Sequence, residues 1–236
     1  MLLELGGKSA IVVLDDANID EAVNAAAFAA FAGSGQGCLC TERVVLDESI
    51  ADKFLEKFIA KTKSLKVGDP RVAPVAVGSL IDRSSVMRIE GLVRDAVAKG
   101  ATVLLDGVNT GTIMSPTILS GVTSQMNIHH EEGFGPLVSI FRAKGVEDAI
   151  RIANDTDYGL SAAVFGQDIT RTLQVARRMD CGMVHINGPT IGDEPQVPFG
   201  GNKASGYGKF GGREVIDEFT ELCWITIQTP PRHYPF

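Results

Sequence analysis

The stretch SAIVVLDDANIDEAVNAAAFAAFAGSGQGCLCTERVVL (residues 9–46) decides the fold. It opens on SAIVVL (9–14), a short apolar run rich in β-branched residues that reads as a buried strand. Asn18 or Asp20 can then cap a helix, because either side chain can accept from an orphan N–H of the first turn. IDEAVNAAAFAAFA (19–32) continues as a strongly apolar helix until GSGQG (33–37) ends it, and RVVL (43–46) is again strand-like.

The same alternation continues along the chain. Ser49 to Lys66 reads as an amphipathic helix, with Ala51, Phe54, Leu55, Phe58 and Ile59 at helical spacing. Helices are expected over residues 85–100, 147–156, 170–180 and 213–222, and strands at TVLL (102–105), PLVSIFRA (136–143), SAAVF (161–165), MVHIN (183–187) and CWITIQ (223–228). Such alternation predicts an α/β fold with a mainly parallel sheet flanked by helices. TPPRHYPF (229–236), with adjacent prolines after a strand, reads as an extended arm. Loop signals gather at 68–79, 106–116 and 188–212, and the last stretch is long enough to expect a function for it.

Composition narrows the partners. The 236 residues carry 22 Lys and Arg against 29 Asp and Glu, a net charge of −7, which argues against nucleic acid because a phosphate-binding surface needs a basic excess. No apolar run approaches the ~18 residues of a membrane span, and the start MLLELGGK lacks the features of a signal peptide. Cys38, Cys40, Cys181 and Cys223 show no zinc-ligand spacing, and Cys38-Leu39-Cys40 is not a C-x-x-C. A reduced, cytoplasmic setting with free thiols is expected.

GSGQGCLC (33–40) is the sharpest local feature, a cysteine on a Gly-rich turn whose backbone can approach a ligand closely. A thiolate is the nucleophile in such a place. By residue type alone, Cys38 reads more readily as a small buried side chain in a turn. ELGGK (4–8) can be a strand end and turn with Glu4 simply solvated. HHEEGFGP (129–136) places histidines and carboxylates side by side, but adjacent residues rarely point at one ion and no H-E-x-x-H helix is present, so metal is not expected. GSGQGC misses G-x-G-x-x-G at Cys38, and PFGGNKASGYGKFGG (198–212) opens no helix with phosphate-binding spacing.

Taken together and in order, ELGGK, GQGC, EEGFGP, NDTDYGLSAAVF and PFGGNKASGYG resemble the aldehyde dehydrogenase superfamily, from residue 4 to about residue 208. The 34-residue separation of Glu4 and Cys38 fits that family's base-to-nucleophile spacing. The resemblance implies that Cys38 attacks the aldehyde, giving a thiohemiacetal that passes hydride to NAD or NADP, and that Glu4 is general base for hydrolysis of the thioester. It implies that Glu132 holds the nicotinamide ribose, that Phe134 packs beside it, and that Phe199 lines the substrate tunnel. Asn187 is left as scaffold.

GYGKFGG and FTELCWITIQ resemble the salicylaldehyde, benzaldehyde and vanillin dehydrogenase subgroup, although Lys209-Phe210 stands where many members carry Arg-Glu. The implied organisation is a catalytic domain over residues 1–222 and an oligomerisation strand and arm over 223–236, in a homo-oligomer acting on an aromatic aldehyde. In the family a cofactor domain precedes ELGGK, and it contributes an oxyanion-hole asparagine. Without that domain, reduced activity is expected. Two other readings stay open: a cofactor-independent thiol esterase using Cys38, and a non-catalytic assembly subunit.

Overall fold

A computed structural model describes residues 1–236. In chain order its strands are β1 (Leu3–Glu4), β2 (Ser9–Val13), β3 (Thr41–Asp47), β4 (Thr102–Leu105), β5 (Thr117–Ser120), β6 (Leu137–Ala143), β7 (Tyr158–Gly159), β8 (Ser161–Phe165), β9 (Met183–Ile186), β10 (Asn202–Lys203) and β11 (Gly206–Tyr207). The helices are α1 (Ile19–Phe31), α2 (Ala51–Lys63), α3 (Arg83–Ala98), α4 (Asn127–His130), α5 (Gly145–Asn154), α6 (Ile169–Ala176) and α7 (Glu214–Phe219). Seven strands form one sheet in the order β4-β5-β6-β3-β2-β8-β9, parallel throughout except for the antiparallel edge pair β4–β5. No helix is long and apolar enough to cross a membrane.

The predicted α/β architecture is the one observed, and the reason lies in the two-sided burial of the central strands. Ile11, Val13, Val44 and Leu46 pack with α1 and α2, while Val12 and Val45 face the opposite way, toward Ala149 and Ile150 of α5 and Val175 of α6. A strand covered on both faces needs apolar residues at every position, hence the continuous run rather than alternation. Asn18 is the cap of α1, accepting from the N–H groups of Asp20 (3.1 Å) and Glu21 (3.4 Å). A third cluster joins α3 to the β4–β5 edge through Ile89, Leu92 and Leu119.

Two sequence expectations change. Thr117–Ser120, TILS, is a strand inside the sheet, between β4 and β6, although it is only 4 residues long. CWITIQ (223–228) forms no strand within this chain, and Leu222, Trp224, Ile225 and Ile227 are exposed. β-propensity cannot act alone, since a strand exists only through the ladder of a neighbour. The 188–212 stretch is tied down by short ladders: β10 pairs with β7, β11 with β1, and Phe199 with Phe210.

Phe58 is fully buried in α2, its ring stacked on Phe31 (6.2 Å) and tilted against Phe54 (5.6 Å). Phe58→Ala is therefore expected to cost about 3–5 kcal/mol, read as a lower urea midpoint with little change in slope.

Candidate active site

The sequence 4–8 crosses the site from one side. Glu4 lies in β1 opposite Gly206, and the N–H of Leu5 donates to the Ser205 carbonyl at 3.0 Å, so the carboxylate's backbone is held by a segment two hundred positions away in the chain. Glu4 is exposed, yet partial burial raises its pKa above the usual carboxylate value while the Lys209 ammonium pulls it down. Lys209 is itself fixed by donating to the Gly200 carbonyl at 2.8 Å.

Gly6 and Gly7 are required by contact. Gly6 has φ +98°, and a Cβ there would meet a Glu132 carboxylate oxygen at 2.8 Å; a Cβ on Gly7 would lie 2.5 Å from the Cys38 carbonyl oxygen. These two residues thus let the chain pass between Cys38 and Glu132. The Gly7 N–H donates to Glu132 Oε1 at 2.8 Å.

Cys38 follows a 3₁₀ turn over Ala32–Gly35 in which Gly33 and Ser34 take positive φ, and it stands half-buried within a turn closed by Cys40 N–H to Gly37 carbonyl at 2.9 Å. Its thiol pKa lies above the ordinary value. Burial is the main cause; the negative fields of Glu4 and Glu132 add to it, and the N–H groups of Cys38 and Leu39 oppose it. The structure therefore brings Glu4, Cys38 and Glu132 within electrostatic reach of one another. Glu132 too is raised, first by burial, against the Gly7 N–H and the charges of Lys8 and Arg88. Cys40 is buried, its thiol pushed up to about 11 by desolvation.

Three residues missed at the level of sequence hold this arrangement. Lys8 and Glu42 form a buried ion pair at 2.7 Å; Lys8 also donates to the Glu131 carbonyl at 2.6 Å. Glu42 accepts from the N–H of Gly133 (2.7 Å) and of Phe134 (2.9 Å). Arg88 closes the loop from outside, donating to the carbonyls of Glu132 (2.9 Å) and Gly133 (2.6 Å). The available signal was the presence of ionisable residues bordering strands that are otherwise apolar; such charges are buried only when paired.

Phe134 is partly exposed beside this loop at φ +45°. Phe199 sits half-buried on its bridge to Phe210. Asn187 clamps Gly166 through both amide atoms (3.0 and 2.9 Å), which is scaffold work. His129 packs edge-on against His130 and faces Asp155 at 3.4 Å, while His130 bonds the Ser124 carbonyl. An apolar cavity of about 470 Å³ against α1 and α2 is lined by Phe28, Phe31, Ala32 and Gly33, the last two leading into the Cys38 turn.

Residues 1–225 match the aldehyde dehydrogenase family. A vanillin dehydrogenase of Pseudomonas fluorescens is 49% identical over 234 residues, covering 99% of this chain and 48% of that protein. The crystal structure of a salicylaldehyde dehydrogenase from Pseudomonas putida G7, complexed with salicylaldehyde, superposes with a TM-score of 0.95 at 52% identity, covering 99% of this chain and 49% of that one. A betaine aldehyde dehydrogenase from Staphylococcus aureus in complex with NAD+ gives a TM-score of 0.88 at 34% identity over 92% of this chain and 44% of its own. The chain spans about half the length of the curated relatives it matches.

Three outcomes are expected from this geometry. Lys8→Met leaves the Glu42 carboxylate buried and unpaired, and is expected to cost about 3–5 kcal/mol in urea unfolding, partly recovered in the Lys8→Met, Glu42→Gln double variant. Alkylation of Cys38 by iodoacetamide should climb with pH to a midpoint above that of a free thiol, since only the thiolate reacts. Glu132→Gln removes one neighbouring negative charge, so the midpoint moves down and labelling near neutral pH speeds up.

Proposed function

The chain belongs to the aldehyde dehydrogenase family, and we propose that it carries the nucleophile and the general base for NAD- or NADP-dependent oxidation of an aromatic aldehyde to its carboxylic acid. What supports this reading above all is the convergence of Cys38, Glu4 and Glu132 around Gly6 and Gly7, from segments far apart in sequence.

In this reaction the Cys38 thiol loses its proton to a carboxylate and its sulfur adds to the aldehyde carbonyl carbon, giving a thiohemiacetal. The N–H groups of Cys38 and Leu39 favour the thiolate, against burial and the two carboxylates. A bound nicotinamide cofactor supplies the hydride acceptor. Glu132 and Phe134 would hold it. The carboxylate is acceptor-only, with one oxygen spent on Gly7 N–H and the other suited to a ribose hydroxyl, and Phe134 offers an exposed ring beside it. The residues present fit that end of the cofactor.

The acyl group is then a thioester on Cys38. Glu4, raised toward neutrality by partial burial, takes a proton from water as the water attacks the thioester carbonyl, and the C–S bond breaks to release the acid. Phe199, half-buried on its bridge to Phe210, provides non-polar surface for an aromatic ring. The residues 1–222 form the catalytic unit in this reading. The unpaired apolar segment 223–236 is read as an arm that pairs with a second copy of the chain.

The test is formation of reduced cofactor, followed by its near-ultraviolet absorbance, with salicylaldehyde and NAD⁺, beside hydrolysis of a nitrophenyl ester. Cys38→Ala should abolish both reactions, and Glu4→Gln should slow turnover by about 10²–10⁴-fold with acyl-enzyme accumulating. Cys38-dependent ester cleavage without any reduced cofactor would replace the reading with that of a thiol esterase. Turnover that survives Cys38→Ala would remove the nucleophile from the scheme.

A further inference from the structure

We propose that Thr190 is a positioning residue for Cys38, locking through a chain of buried hydroxyls the turn on which the nucleophile stands; the inference rests on Cys38 being that nucleophile. Thr190 is fully buried, as is Thr41 at 1% exposure. The Thr190 hydroxyl donates to the Leu39 carbonyl at 2.7 Å and lies 2.8 Å from the Thr41 hydroxyl. Each hydroxyl has one proton. With the Thr190 proton committed to Leu39, the Thr41 hydroxyl is the donor to Thr190. The Ser161 hydroxyl donates to the Thr190 carbonyl at 2.8 Å, which fixes the backbone of Thr190 itself.

The placement of these bonds is what gives them a role. The Leu39 carbonyl and the Cys40 N–H belong to a single peptide plane. Its N–H donates to the Gly37 carbonyl at 2.9 Å, and its carbonyl accepts from Thr190. A peptide unit is rigid, so holding both ends fixes its orientation, and with it the turn from Gly37 to Cys40. That turn carries Cys38 and places the N–H groups of Cys38 and Leu39, which oppose the upward pull of burial on the thiol. Thr41 and Ser161 open β3 and β8, the two strands that flank β2 in the sheet. The nucleophile turn is thereby referenced to the most buried part of the fold. None of the three hydroxyls reaches the reacting atoms; each acts through the Leu39 carbonyl.

Thr190→Val keeps the branched shape and removes the donor, whereas Thr190→Ser keeps the donor. Two readouts separate positioning from plain stability. The first is the pH midpoint of iodoacetamide alkylation, read at Cys38 by fragmentation of the labelled peptide so that Cys40, Cys181 and Cys223 do not contribute. The second is kcat and KM for the aldehyde. Thr190→Val is expected to raise the alkylation midpoint and to lower kcat by about 10- to 100-fold with KM little changed, the scale set by a small misplacement of a reacting group. Thr190→Ser should restore both to within about twofold of the parent.

Should Thr190→Val fail to fold, Thr41→Val carries the same test, because it removes only the donor to Thr190; a smaller upward shift of the midpoint is expected there. An unchanged midpoint in a folded Thr190→Val or Thr41→Val chain overturns the inference, and so does a Thr190→Ser chain as impaired as Thr190→Val. Alkylation needs neither aldehyde nor cofactor, so failure of the proposed reaction and failure of this inference register separately.

Discussion

The buried ion pair of Lys8 and Glu42 is the constraint around which the site is arranged. Lys8 immediately precedes β2, Glu42 lies in the neighbouring parallel strand β3, and their side chains are 1% and 6% exposed. Two charges removed from water at the starting ends of central strands are tolerable only when partners meet them. Here they are met by the backbone of one loop: the Glu131 carbonyl accepts from Lys8, and the N–H groups of Gly133 and Phe134 donate to Glu42. Desolvation thus forces the 131–134 loop against β2 and β3, which sets Glu132 facing Gly6, Gly7 and Cys38.

A second buried cation lies one residue further along β3. Arg43 is 1% exposed, donates to the carbonyls of Ile152 and Ala153 at the end of α5, and lies over the Phe141 ring at 5.4 Å. Burial lowers its pKa to about 10, still far above neutrality, so it remains charged. A cation placed on the last carbonyls of a helix also meets the negative end of its dipole. Adjacent positions of one strand therefore send Glu42 toward the site and Arg43 toward the scaffold, as the two-residue period of a strand requires.

In the proposed reaction the electrostatics of the site are those of a resting nucleophile. Burial and the field of two carboxylates hold the Cys38 thiol above its ordinary pKa, which favours the protonated form. The same carboxylates are raised by their own burial and are correspondingly better proton acceptors. Burial thus raises the proton affinity of thiol and carboxylates alike, which keeps the sulfur protonated until a carboxylate takes its proton in the proposed reaction.

The amino-acid sequence by itself determined the layered α/β class, because continuous apolar runs such as SAIVVL alternate with helical spacing and only burial on both faces accommodates such runs. It also narrowed the cap of α1 to Asn18 or Asp20, of which the structure selects Asn18, and carried the motifs that name the family, since each of these depends on residues close together in the chain. Tertiary structure alone decided the rest. TILS became an internal strand because β4 and β6 offered it ladders on both sides, and CWITIQ did not because no neighbour in this chain does. The pairing of Lys8 with Glu42, the anchoring of Glu4 on Gly206, and the reach of Thr190 to Leu39 join positions 34, 202 and 151 residues apart. Periodicity reports which way a side chain faces, but not which distant group it will meet. That is settled only when burial demands a partner for each charge and hydroxyl taken out of water.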